Sequence, residues 1–451
     1  MTAPLSTAAS PHPEPSSPSD LRDQIAAALD EARARTLLLI EPLTDEDLSV
    51  QHDRLMSPIL WDLGHIAHFE ALWLLRNLEG PVEFGEMPGM YNPFEHPRRT
   101  RGQLDLPTRA GTLAEMSDIR ERVLERLATI DFDSTNSLLR DGYVYNMVLQ
   151  HEYQHNETIL QTLQLKTGEP YAPAVGDDTE AQVPRAARRA SSVAHFRGGP
   201  VIIGTDDRSA AYDNERPAHE VHVAPFVIDV APVSNAEYLA FMDAGGYSRR
   251  EWWSDAGWVW LQESGVNSPK HWVRDTGVWR TREMNRVVDV QPHLPVVHVC
   301  YHEAEAFARY AGKRLPTEIE WEVAAGWNEA TGRMQRFPWG NEGATRQRAN
   351  IDQLGFGVSP IGTYSANWSP LGCYGMIGDV WEWTSSDFRG YPGYITFPYA
   401  EYSEVFFGDE YKVLRGGSWA TRPGAIRNSF RNWDYPIRRQ IFSGFRCAAD
   451  A

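Results

Sequence analysis

The 451-residue chain has no run of about eighteen apolar residues, the length a helix needs to cross a bilayer. A membrane-spanning helix is therefore not expected. Cysteine is scarce: Cys300, Cys373 and Cys447 stand far apart with no CxxC pair, which excludes a disulfide framework and a cysteine zinc site and points to the reducing cytoplasm. Positive charge is also short. Forty-three Lys and Arg against 61 Asp and Glu leave a formal net charge of −18, so the basic surface that nucleic acid or an anionic membrane requires is missing. Small polar or zwitterionic molecules remain as partners. Residues 1–20 lack the apolar core of a signal peptide; rich in Pro, Ser and Ala, they have the composition of a disordered tail.

What is present divides in two. Residues 21–170 carry apolar positions at spacings of three and four over Leu21–Glu41, Pro58–Leu78, Thr112–Ile130 and Tyr143–Leu165, the pattern of four long helices. Four such helices fold most simply as an up-down bundle, with metal sites built from side chains that face its core. Residues 171–194 read as a linker. From residue 195 to 451 the texture changes to short alternating stretches such as His219–Asp229, brief helices near Asn235–Ala244 and His302–Ala311, and most of the sixteen tryptophans, which together suggest an irregular α+β domain.

The last bundle helix contains His151 and His155, four apart and hence on one helix face. Val144, Val148, Ile159 and Leu163 give it an inward stripe. Two imidazoles one turn apart can share a metal ion, or can simply be buried and hydrogen-bonded. A third ligand decides between these, and His65, one turn after Trp61 in the second helix, is preferred over His68. The loop before the third helix holds Arg98 and Arg101, whose paired donors suit a carboxylate, although taken alone the loop reads as solvated surface. Glu157 either orients a ligand histidine or sits on a solvated helix face. By itself, Asn432-Trp433-Asp434 reads as a buried turn.

The stretches Asp213-Asn214-Glu215-Arg216-Pro217, Arg314-Leu315-Pro316-Thr317-Glu318, Gly378-Asp379-Val380-Trp381-Glu382-Trp383-Thr384, Leu414-Arg415-Gly416-Gly417-Ser418-Trp419 and Ser443-Gly444-Phe445-Arg446-Cys447 resemble, in order and spacing, the formylglycine-generating-enzyme (sulfatase-modifying-factor) domain. That resemblance implies a C-type-lectin-like fold. Cys447 has no nearby cysteine partner, so the formylglycine activity is not carried over. The bundle resembles the DinB family. Both domains together, with Asp62-Leu63-Gly64-His65, His151-xxx-His155, Phe94-Glu95-His96-Pro97-Arg98 and Ser429-Phe430-Arg431-Asn432-Trp433-Asp434, resemble the actinobacterial iron(II)-dependent sulfoxide synthases of ergothioneine biosynthesis.

The resemblance implies an enzyme that joins hercynine to γ-glutamylcysteine with O2. It implies Fe(II) on His65, His151 and His155; hercynine held by Gln154, Asn432, Trp433 and Tyr402; and γ-glutamylcysteine held by Arg98, Arg101 and Asp434. Tyr399 is implied as the catalytic tyrosine, ahead of Tyr402 and Tyr394 in the same loop. Competing readings are free cysteine as the thiol, a zinc-dependent thiol transferase of DinB type, and a non-catalytic lectin-like binding module. The assigned residues come from both domains, so the site is expected between them.

Overall fold

The computed structural model describes residues 18–78, 89–172, 192–353 and 355–451. Most of the expected tail, most of the expected linker and the first part of the arginine loop lie outside the described residues. The bundle consists of α1 (Pro18–Ile40), α2 (Asp45–Ser49), α3 (Ile59–Ala71), α4 (Arg109–Leu127) and α5 (Tyr143–Leu165). Helix α5 has the bounds its periodicity predicts, and its stripe Val144, Val148, Ile159 and Leu163 is at most 3% exposed. Helix α2 was not foreseen. Its signal is a capping box, in which Thr44 Oγ1 accepts from the Asp47 N–H and the Asp47 carboxylate accepts from the Thr44 N–H, both at 3.1 Å. The helix expected to continue to Leu78 leaves α geometry after Ala71 and makes a π turn over Leu72–Arg76.

Four charges are sealed inside the bundle. Arg33 on α1 donates to Glu152 at 3.0 Å and Glu70 at 2.6 Å, while Arg120 on α4 donates to Glu70 at 2.6 Å and Glu152 at 3.3 Å. Thr36 Oγ1 adds a bond of 2.7 Å to Glu152. Burying such groups is tolerable only because each is paired, and removing one partner typically costs about 3–5 kcal/mol. The network clamps α1, α3, α4 and α5 behind the helix face that carries His151.

The second domain begins with strands β1 (Val193–Phe196), β2 (Gly199–Ile203), β3 (His219–Val223) and β4 (Phe226–Asp229), followed by β5 (Val273–Asp275), β6 (Val278–Glu283) and β7 (Arg286–Asp289). After these come β8 (Trp327–Asn328), β9 (Arg333–Met334), β10 (Trp381–Asp387), β11 (Lys412–Arg415), β12 (Asn432–Asp434), β13 (Ser443–Gly444) and β14 (Ala448–Asp450). Helices α6 (Asn235–Asp243), α7 (Asp255–Ser264), α8 (Tyr301–Tyr310) and α9 (Glu318–Gly326) lie between strands. The stretch expected as one alternating segment, His219–Asp229, is two strands separated at Ala224-Pro225. The sheet that matters for the site has the order β12-β11-β10-β13. Asn432-Trp433-Asp434 is accordingly an edge strand paired with β11, with Val413 opposite Trp433, and not a turn.

The sequence motifs of this domain meet as buried ion pairs. Arg446 binds Glu382 at 2.7 Å, Arg431 binds Glu318 at 2.8 Å, and Arg415 binds Glu322. Segments distant in sequence are thereby fixed around one core. The three cysteines are buried and free, and no helix among the described residues is long and apolar enough to cross a membrane.

Helix α5 belongs to both domains. Asn146, Gln150, Gln154, Glu157 and Gln164 share the face opposite its apolar stripe, and that polar face is covered by the second domain. Asn146 donates to the Ser209 carbonyl at 2.8 Å, Gln150 to the Ala210 carbonyl at 2.8 Å, and Gln164 to the Arg282 carbonyl at 2.6 Å. Glu157 departs from both sequence readings. It is 6% exposed and accepts from Trp381 Nε1 at 2.8 Å, Ser418 Oγ at 2.9 Å and Thr421 Oγ1 at 2.7 Å, so it ties α5 to the second domain.

Candidate metal centre at the domain junction

His65 on α3 meets His151 and His155 on α5, with the nitrogen ligand atoms of all three within 4.8 Å of one another. The Nε2 atoms of His65 and His151 are 3.2 Å apart. Two nitrogens bound about 2.1 Å from one ion at roughly a right angle are separated by about that distance. His65 Nδ1 contacts the Tyr91 carbonyl at 2.8 Å, which keeps its proton on Nδ1 and leaves Nε2 as a lone pair. His155 Nδ1 lies 3.3 Å from Asp62 Oδ1, which sets a carboxylate beside the ring without a hydrogen bond between them. Burial, reinforced by the neighbouring histidine His155, pushes the pKa of His65 and of His151 well below the ordinary imidazole value. His65 and His151 are therefore held neutral, and the nitrogen-only, convergent set fits a divalent transition metal.

His68 stands outside this trio. It is half-buried, and its ring lies 6.2 Å from that of Tyr91. Gly64 decides how close Tyr91 can come, because a Cβ at position 64 would fall 2.2 Å from the Tyr91 ring. Only glycine lets this tyrosine lie against α3 so that its carbonyl reaches His65. On the other side, Trp61 stacks on His65 with centroids 4.8 Å apart, and Arg101 caps Trp61 at 3.5 Å. Arg101 is buried rather than solvated. Its Nε donates to the His96 carbonyl at 2.8 Å and its Nη1 to Ser57 at 2.7 Å; burial lowers its pKa to about 10, against the opposing pull of Asp62. Its guanidinium thus supports the His65 stack and lies within electrostatic reach of His65 and Asp62.

Phe69 stacks on His151 at 3.7 Å, and Tyr399 packs at 6.3 Å from Phe69 and 5.0 Å from Trp73. Gln154 donates to the Tyr402 hydroxyl at 3.0 Å and to the Tyr212 hydroxyl at 3.2 Å. Tyr212 and Tyr402 stack at 4.1 Å, and the Tyr402 ring meets the edge of Trp433 at 5.7 Å. Trp433 is held flat against Phe388 at 4.1 Å. Asn432 Oδ1 accepts from the Trp433 N–H at 2.9 Å, which leaves the amide N–H groups as donors. Tyr394 is turned to another task, donating to Asp213 at 2.7 Å.

Arg98 is half-buried and lies within electrostatic reach of Asp434, Arg438 and Asp62. Asp434 accepts from Arg438 Nε at 3.2 Å. Burial raises the Asp434 pKa, while Arg438 and Arg98 oppose that shift. Sequence reasoning missed Arg438, four residues beyond Asp434, and Tyr212, one residue before a motif it did notice. Both signals were there only as spacing. The arrangement brings three guanidiniums, a carboxylate, an aromatic wall and a three-histidine centre to the junction of the domains.

The chain matches the DinB superfamily over residues 28–159 and the sulfatase-modifying factor enzyme 1-like domain over residues 179–451. It is 45% identical to the hercynine oxygenase of Mycobacterium tuberculosis over 95% of this chain and 99% of that protein. Against the hercynine oxygenase of Mycolicibacterium thermoresistibile it is 45% identical over 95% of each chain. The formylglycine-generating enzyme of Thermomonospora curvata is 33% identical over 56% of this chain and 91% of that protein. Since the full-length relatives span the metal-centre helices as well as the second domain, the chain belongs to the hercynine oxygenase family.

Proposed function

We propose that the protein joins hercynine to γ-glutamylcysteine with O2 and iron(II), giving γ-glutamyl-hercynylcysteine sulfoxide. The observation that carries this reading is the convergence of three histidines with an aromatic wall and a cluster of arginines at one domain junction. In the overall reaction a C–S bond replaces the imidazole C2–H and the thiol S–H. One oxygen atom of O2 ends on sulfur and the other leaves as water, so the four electrons of O2 reduction come from the two substrates.

His65, His151 and His155 would hold the iron. Bound there, the metal would supply a meeting point for thiolate and O2 and the capacity to reduce O2. The chain's own groups do the rest. A trimethylammonium donates no hydrogen bond, so Trp433 and Tyr402 hold it through their ring faces, at about 0.5–2 kcal/mol per contact. The N–H groups of Asn432 and Gln154 serve the polar end of hercynine. Arg98, with Arg438 and the remaining donors of Arg101, suits the two carboxylates of the dipeptide, and Asp434 suits its ammonium. Fixing the sulfur beside C2 makes the coupling effectively intramolecular, a gain of up to about 7–11 kcal/mol for ideal alignment. Burial, with Tyr212 and Tyr143 nearby, holds the Tyr399 phenol far above its ordinary pKa; it stays protonated and can give its proton to reduced oxygen. Without that proton the thiol itself is exposed to oxidation to a sulfinic acid.

The test is O2 uptake by anaerobically prepared, Fe(II)-loaded protein given hercynine with γ-glutamylcysteine or with cysteine, followed by mass spectrometry. Coupled sulfoxide formed faster from the dipeptide is the expected result. Faster reaction with cysteine would overturn the role given to the arginines, and no uptake with either thiol would overturn the oxygenase reading.

A further inference from the structure

The segment Tyr212-Asp213-Asn214-Glu215 is a single 3-10 turn over Asp213–Glu215 in the second domain, and its side chains reach both halves of the site. Glu215 accepts from Arg427 Nε at 2.7 Å, and Arg427 Nη1 donates to Gln150 at 2.9 Å, just before His151. The Tyr212 hydroxyl accepts from Gln154, just before His155. Those bonds hold the turn to α5. The other two residues face the tyrosine loop. Asp213 accepts on Oδ2 from the Tyr394 hydroxyl at 2.7 Å and the Phe397 N–H at 3.1 Å, and on Oδ1 from Ser403 Oγ at 2.5 Å. Asn214 Nδ2 donates to the same Ser403 oxygen at 3.0 Å.

Phe397 and Ser403 bracket Tyr399 and Tyr402. Apart from a 3-10 turn over Ala400–Tyr402, residues 390–403 have no helix or strand of their own, so side-chain anchors decide where the loop lies. A carboxylate is suited to this task because both its oxygens only accept, and one group can take three donors. Asp213 is 1% exposed and Ser403 0%, while Tyr394 and Phe397 are half-buried, so removing the carboxylate leaves Ser403 with no water to turn to and frees the other two donors to move.

We propose that Asp213 is the positioning residue of the Tyr399 loop, setting the tyrosines against the histidine helix to which its own turn is bonded. The catalytic half of this inference rests on the functional reading above; the structural half does not. The experiment compares Asp213→Ala and Asp213→Asn in the full-length, Fe(II)-loaded protein. Asn keeps one oxygen for Tyr394 and Phe397 and can donate to Ser403 Oγ, so it rescues in part. Two readouts are taken: hydrogen exchange of peptides covering 394–403 and of α5, and the ratio of thiol sulfinic acid to coupled sulfoxide.

For Asp213→Ala the expected result is at least tenfold faster exchange over 394–403 with α5 unchanged. The sulfinic-acid ratio should rise at least tenfold with metal content and KM for the thiol unchanged, and Asp213→Asn should fall between. Unchanged exchange over 394–403 overturns the inference, as does loosening that extends equally over α5. An unchanged product ratio in a loosened loop overturns it as well. If the wild-type protein forms no coupled product, the functional reading fails while the exchange measurement still decides whether Asp213 holds the loop.

Discussion

Replacing Gly64 by alanine is expected to weaken metal binding as well as folding. The new Cβ would stand 2.2–2.3 Å from three atoms of the Tyr91 ring, against an ordinary contact distance near 3.6 Å, so ring and helix must separate by more than 1 Å. The ring cannot swing out freely, because Tyr91 is 1% exposed and packs near Trp61 and His68. Overpacking of this kind costs about 1–3 kcal/mol, and the better helix propensity of alanine returns up to about 1 kcal/mol. Net destabilisation is thus about 0–3 kcal/mol. The displacement also pulls the Tyr91 carbonyl from His65 Nδ1, a contact of 2.8 Å, and losing such an outer partner typically lowers metal affinity 10–100-fold. Urea unfolding of the metal-free protein measures the first quantity, and competitive titration with Co(II) or Fe(II) the second. Metal affinity within threefold of wild type, with unchanged stability, would refute the argument.

Four further outcomes are expected. Tyr399→Phe should retain substrate binding but shift products from coupled sulfoxide toward thiol sulfinic acid; an unchanged distribution by mass spectrometry counts against Tyr399 as the proton donor. Arg438→Ala should raise KM for γ-glutamylcysteine about tenfold or more, the scale of one lost charged hydrogen bond, while leaving KM for hercynine near wild type. Glu157→Ala strands three buried donors and should destabilise by about 3–5 kcal/mol in urea melts, whereas an exposed carboxylate would change stability by less than about 0.5 kcal/mol. Burial lowers the His298 pKa to about 3, below the usual value near 6.5 of the unfolded chain. The unfolded state then binds the extra proton, so this contribution to stability is present above about pH 6.5 and is lost as pH falls toward 3. Between pH 7 and 5 the loss is about 2 kcal/mol. His298→Asn, chosen because Asn tolerates the left-handed φ of 64° at this position, should lose less stability over that interval by this amount; identical pH profiles would refute it.

Helix α5 was legible because its information is local. Periodicity alone gives its ends, its apolar stripe and the shared face of His151 and His155, and none of these requires knowing where the rest of the chain goes. The order of the second-domain motifs was equally plain in the sequence. Their purpose was not: Arg446 and Glu382, or Arg415 and Glu322, declare themselves as buried pairs only when the strands that carry them are side by side.

The sequence by itself therefore determined the two-domain division, the four long helices and the pair of histidines on α5, all of which follow from patterns within a few helical turns. The sequence also favoured His65 over His68 as their companion, but only the tertiary structure brings α3 against α5 so that His65 meets the pair. Tertiary structure decided that Glu157 faces neither solvent nor a ligand histidine, because its three donors lie 224 to 264 residues away. A hydrogen bond across such a separation depends on the path of the whole chain, which short-range periodicity does not encode.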